Sequence, residues 1–174
     1  MMITNNAIQG TRALPIFASD DAEIPTPNLQ VNSIMTAKAD GGAILVDSTN
    51  PFIVNPTGNA QFVVNVGDVV FIPSLSTSVT ITEVISASQI RLNVAVANVG
   101  LEYQVYQQSA ATGNSNTGCY IYPGQGTEGQ AMTCLTAGND YVVFDNIPVG
   151  FIFPVKIKKV FSTGTSITNL VAIW

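Results

Sequence analysis

The 174 residues carry 6 basic and 11 acidic side chains, no histidine and two cysteines, and only 10% of them are charged. No basic excess is available for a phosphate backbone, so nucleic acid is not an expected partner. The lack of histidine removes the commonest general base and metal ligand near neutral pH, and two cysteines are too few for a disulfide framework or a zinc site. Neither catalysis nor a cofactor or metal is therefore expected.

Valine, isoleucine and threonine outnumber leucine 54 to 8. β-Branched side chains lose rotamer freedom in a helix and suit a pleated surface, which predicts an all-β fold. The opening Met1-Met2-Ile3-Thr4-Asn5-Asn6 lacks the basic and apolar regions of a signal peptide. No apolar run approaches the roughly 20 residues that span a bilayer, so a soluble protein of a reducing compartment, without a membrane partner, is expected.

Residues 1–32 hold Pro15, Pro25 and Pro27, an acidic cluster at Asp20, Asp21 and Glu23, and isolated apolar residues. Proline stops helices and biases its predecessor toward extended geometry, which predicts an extended arm. Leu14, Ile16, Phe17, Ile24 and Leu29 are too many for a disordered segment and are expected to dock on a neighbouring subunit.

Residues 33–107 alternate short apolar runs with turn residues, which predicts a β domain with strands near 43–47, 60–66, 68–72, 78–85, 89–96 and 101–107. Gly67-Asp68 reads as a tight turn or bulge. Ser86-Ala87-Ser88 reads as a hairpin loop that sets Val79 and Ile81 on one side with Ile90 and Leu92. The small polar stretch 108–118 predicts a linker. A second β domain follows over 119–174, with strands near 119–123, 132–135, 141–145, 155–160 and 168–174, separated by Gly138-Asn139-Asp140, Pro148-Val149-Gly150 and Gly164. Two small antiparallel sandwich or barrel domains behind an extended arm is the expected architecture.

The run Gly124-Gln125-Gly126-Thr127-Glu128-Gly129 has the spacing of a dinucleotide fingerprint, but a strand rather than a helix is expected after it, so a hairpin loop is the better reading. Cys119 and Cys134 lie symmetrically about that loop. They are expected to face one another across a hairpin, as two buried thiols rather than a disulfide. Asp140 and Asp145 flank a strand without metal-ligand spacing and read as solvated turn carboxylates. Tyr103, Tyr106, Tyr120 and Tyr122 would suit a sugar-stacking face, although cross-strand packing is the simpler explanation. The terminal Trp174 ends an apolar strand and is expected to be buried.

Charge is unevenly placed. Residues 151–174 hold Lys156, Lys158, Lys159 and no acid, while the preceding 150 residues carry a net −8. Lys156 and Lys158 share one strand face by the period of two, opposite Val155 and Ile157. They are expected either to meet acids such as Asp68, Glu83 or Glu102 of a neighbouring copy or to guard an edge against promiscuous pairing.

The stretch 120–174 also combines four signals in order: Tyr120-Ile121-Tyr122 and glycines; a strand ending in Asn146-Ile147-Pro148-Val149-Gly150; Pro154-Val155-Lys156-Ile157-Lys158-Lys159; and Ser162-Thr163-Gly164-Thr165 before a final apolar strand ending in Trp174. This pattern resembles the C-terminal domain of small virion proteins of tailed phages and the head-spike base proteins of gene transfer agents. The resemblance implies a non-enzymatic subunit of a viral particle, assembled in the host cytoplasm. It would be a capsid decoration or vertex spike base that binds the major capsid protein and its own copies as a symmetric homo-oligomer. A neck, tail or baseplate component is the alternative within that class, and a sugar-binding adhesion module the alternative outside it.

Overall fold

The structure is a computed structural model that describes residues 11–54, 61–108, 117–125, 129–148 and 150–174. The expected linker thus lies largely outside the described residues, as do the start of the arm, residues 126–128 of the glycine-rich run and Val149 of the Pro148-Val149-Gly150 turn.

The chain is all-β. Among the described residues the first ten strands are β1 (Ala13–Ile16), β2 (Leu29–Ile34), β3 (Ala37–Ala39), β4 (Ile44–Val46), β5 (Ile53–Val54), β6 (Gln61–Phe62), β7 (Val69–Ile72), β8 (Thr77–Ser86), β9 (Gln89–Leu92) and β10 (Glu102–Tyr106). Five more follow as β11 (Cys119–Gln125), β12 (Met132–Thr136), β13 (Tyr141–Phe144), β14 (Phe153–Val160) and β15 (Thr168–Ile173). Two antiparallel sheets result, in the orders β2-β10-β7-β8-β9-β4-β3 and β1-β15-β11-β14-β12-β13, beside the small β5-β6 pair.

The first sheet curls into a half-barrel whose two ends, β2 and β3, are separated in sequence only by Met35-Thr36. At that corner Met35 N–H bonds Leu101 O and Thr36 N–H bonds Val46 O, so one bent stretch of chain passes from β10 to β4. The β8–β9 hairpin pairs Ile81 with Leu92 and Val84 with Ile90. Val79, Ile81, Ile90 and Leu92 all enter the same core, because alternate residues of a strand share a face.

Strand β7 explains how the two sheets meet. All four of its residues are buried, and they divide by parity: Val70 and Ile72 join the half-barrel core, whereas Val69 and Phe71 join the core of the second sheet. A strand covered on both faces reads as a continuous apolar run, which is what Val69-Val70-Phe71-Ile72 is. Tyr106 follows Val69 and Phe71 into the second core, and Phe71 touches both Tyr106 and Phe17 edge-on or tilted, with ring centroids 5.0 and 5.5 Å apart.

The arm is not a separate body. Residues 13–16 form an edge strand of the second sheet, with Ala13 opposite Ile173 and Ile16 opposite Leu170, and residues 29–34 form an edge of the first. Between them the chain runs along β14 beyond the point where β11 begins. There Ser19 N–H bonds Val160 O and Ile24 N–H bonds Lys158 O, both over 2.8 Å. Ser19 Oγ donates to Ser78 O in the first sheet, and Asp21 O accepts from Thr80 and Asn93. The segment therefore ties the two sheets together. Trp174 is half-buried against the second core rather than fully enclosed, and its backbone exchanges hydrogen bonds with Thr11 and Arg12.

Candidate assembly surface

The apolar residues expected to dock on a neighbour find their partners in their own chain. Leu14, Ile16 and Ile24 are buried in the second core and Phe17 packs against it. Each fully buried aliphatic side chain contributes about 1.5–3 kcal/mol, so these residues are committed to the fold and are not left for another subunit. The exception is Leu29, which remains 47% exposed at the start of β2.

The three lysines separate. Ile157 and Val160, three apart, both point inward, and β12 pairs Leu135 with Lys159 but Thr136 with Ile157. Lys158 is the extra residue of this β-bulge, so strict alternation fails there. Lys158 Nζ donates to Asn139 Oδ1 over 2.9 Å, whereas Lys159 Nζ donates to Asp20 O over 2.7 Å and sits 4.9 Å from the centre of the Phe161 ring. Lys156 is exposed, its ammonium 5.7 Å from the Tyr120 ring. Of the acids expected to receive them, Asp68 is fully buried and Glu83 is held by Arg91, which also binds Asp40. Only Glu102 of that set is exposed without such an ion pair.

Two buried carboxylates escaped the sequence reading as structural groups. Asp68 accepts from the Asn65 and Gln108 N–H groups, and burial raises its pKa despite these bonds. Burial would also raise Asp47, but hydrogen bonds from Ser33, Thr49 and Tyr103 outweigh it and hold the carboxylate below its ordinary range. Both serve to close turns. Among the described residues no group of three or more histidine, cysteine, aspartate or glutamate side chains could hold a metal ion, and no helix is long and apolar enough to cross a membrane.

Cys119 and Cys134 do not face each other, because β14 lies between β11 and β12. Cys119 pairs with Ile157 and Cys134 with Val160. Both thiols are free and buried, and burial pushes them up to about 12 and about 11 respectively. The four tyrosines also part company: Tyr103 lies inside the half-barrel and Tyr106 against the second core, while Tyr120 and Tyr122 sit half-buried on β11. Gly124 is a β11 residue whose Cβ would stand 2.7 Å from Asn169 O, so its role is close strand approach, and β12 rather than a helix follows the glycine-rich run.

The outer face of the second sheet is where apolar side chains meet solvent together. Tyr141 is 63% and Val143 51% exposed on β13, and Tyr141 packs its ring 5.2 Å from that of Phe161 under Lys159. On the other face of the strand, Phe144 turns inward against Phe153. A separate cleft of about 540 Å³ lies between β1, β15 and the 162–168 turn, lined by Phe17, Leu170 and hydroxyl residues such as Ser162 and Thr165. Among the described residues that line it, none carries an ionisable side chain.

No family model, curated protein or solved structure matches this chain.

Proposed function

We propose that this chain is a structural subunit of a tailed-phage particle, a capsid decoration or vertex spike-base protein that binds the major capsid protein and its own copies. The observation that carries the reading is the face at β13, where Tyr141, Val143 and Phe161 form an apolar surface in a chain of which only 10% of the residues are charged. Such a surface costs free energy in water and gains it when a neighbour covers it. The order of the Tyr120–Trp174 signals supplies the kind of particle, through their resemblance to virion and spike-base domains. The role is non-enzymatic.

Mass spectrometry of purified particles, followed by electron microscopy of a gold-labelled copy, tests the proposal. Label on the head surface or vertices supports it, label on the neck, tail or baseplate moves the same assembly role elsewhere, and particles lacking the chain sink it.

A further inference from the structure

The second sheet has two edges, and they are treated differently. In β1 the even residues bond to β15, as Arg12 does by accepting from Trp174 N–H, so the odd residues turn their backbone groups outward. One of these is Pro15, which has no N–H to offer, and proline at that position blunts the edge. Strand β13, at the opposite edge, has no proline, lysine or bulge.

The hairpin before β13 shows which of its groups are free. Asn139 N–H bonds Thr136 O, Thr136 N–H bonds Asp140 O, and Asn139 has a φ of 70°, the signature of a three-residue loop with a terminal bulge. Thr136–Asp140 is thus a hydrogen-bonding pair. By alternation Cys134–Val142 and Met132–Phe144 are hydrogen-bonding pairs too, and Thr133 confirms the parity by sending its N–H to Thr165 and its carbonyl to Phe161. The N–H and C=O groups of Tyr141 and Val143 therefore point away from the sheet, beside the two most exposed side chains of the strand.

We infer that this edge pairs with β13 of a second copy of the chain, antiparallel about a two-fold axis at Val142, so that Tyr141 lies opposite Val143 of the partner subunit. This inference rests on the self-association in the proposed function and specifies its surface. Only registers that set odd residues opposite odd residues can form hydrogen bonds here. The one centred on Val142 engages both outward residues and places Asp145 of the partner subunit across from Asn139, next to the Lys158 ammonium that holds Asn139 Oδ1. The axis repeats that meeting of opposite charges, and it brings the aromatic Tyr141 against a β-branched neighbour. A register two residues further on would set the same carboxylate against Tyr141 instead. The result is one sheet continuous across twelve strands, twice the six of each copy.

The test is sedimentation of the full chain and of Val143→Pro, whose proline removes only an outward N–H. A wild-type dimer and a monomeric variant with unchanged circular dichroism are expected. Lys158→Glu should weaken the dimer at least about tenfold, and adding Asp145→Lys should restore it; this pair decides the matter if the proline variant fails to fold. For the register, oxidising a mixture of Tyr141→Cys and Val143→Cys chains should crosslink only unlike chains. Equal sedimentation of wild type and Val143→Pro, or crosslinks between like chains, would overturn the inference, even if purified particles contain the protein. A dimer lost in Val143→Pro upholds it even if no particle contains the chain, in which case the virion reading alone falls.

Discussion

Tyr103 donates a hydrogen bond to the Asp47 carboxylate over 2.7 Å, and both residues are sealed from solvent although 56 positions separate them. The bond joins β10 to the turn after β4 and satisfies a charge that burial would otherwise penalise. Tyr103→Phe keeps the shape but leaves a carboxylate oxygen short of a donor, so a loss of about 1–3 kcal/mol is expected in urea unfolding. Because the folded pKa of Asp47 is lowered, the stabilisation from ionising it is present above the unfolded value and fades as pH falls. Wild type and variant should therefore draw together in acid, and parallel curves across pH would contradict this account.

Asp20 offers a second pH-dependent prediction at the surface. Its carboxylate accepts from Ser162 Oγ and from the Thr163 hydroxyl and N–H, and these bonds lower its pKa from 3.8 to about 2. A depressed carboxylate stabilises the fold above its unfolded pKa and ceases to do so as pH drops through the folded one. Asp20→Asn should unfold at lower urea than wild type near neutrality, with the gap closing between pH 4 and pH 2. A gap that widens on acidification would show that these bonds do not form.

The thiols should be silent in the native state. With Cys119 and Cys134 buried and their pKa values raised to about 12 and about 11, little thiolate is present at pH 8 and reagents cannot reach it. Labelling with iodoacetamide should be negligible before denaturation and complete after it, with two thiols titrating under non-reducing conditions. Rapid native labelling of either would place it outside the core.

Removing residues 1–27 should unfold more than a tail. The deletion strips β1 from the second sheet, takes Leu14, Ile16 and Ile24 out of its core and frees the carbonyls of Lys158 and Val160. Calorimetry is expected to show loss of the cooperative transition of the second sheet. Phe17→Ala, milder, removes a partly buried ring from Phe71 and should cost about 2–3 kcal/mol. A truncated chain that melts as wild type would mean that the arm is dispensable.

What could be read from the residues was whatever is local. The β8–β9 hairpin was legible because Val79, Ile81, Ile90 and Leu92 alternate about a short turn, and the regular apolar runs announced most later strands. Strands β1 and β2 were hidden by the prolines around them, although Leu14 and Ile16 carry the period of two. Strand order was not legible at all: the symmetry of Cys119 and Cys134 about their loop suggested a hairpin, yet a strand from 153–160 enters between them. The face shared by Lys156 and Lys158 was lost to a bulge that depends on pairing with β12. Asp47 stood only as the last residue of the strand expected over 43–47, because the tyrosine that holds it lies in another strand. The edge at β13 was visible as a strand between two acids, but only the hairpin's hydrogen bonds tell which backbone groups it leaves open.

The pairing of β1 with β15 also governs how this protein can be made. Thr11 and Trp174 lie 163 positions apart and share hydrogen bonds. During synthesis the half-barrel has all its strands once 102–106 have emerged, so that part can fold while the ribosome is still working. Residues 13–16, translated early, have no strand to join until 168–173 appear. For that interval Leu14 and Ile16 are exposed apolar groups on an unpaired strand, and their pairing with β15 carries a long loop-closure cost that the local β12–β13 hairpin does not. Slow translation over 119–173 would lengthen the exposure, and a host chaperone that shields short apolar segments would find its target there.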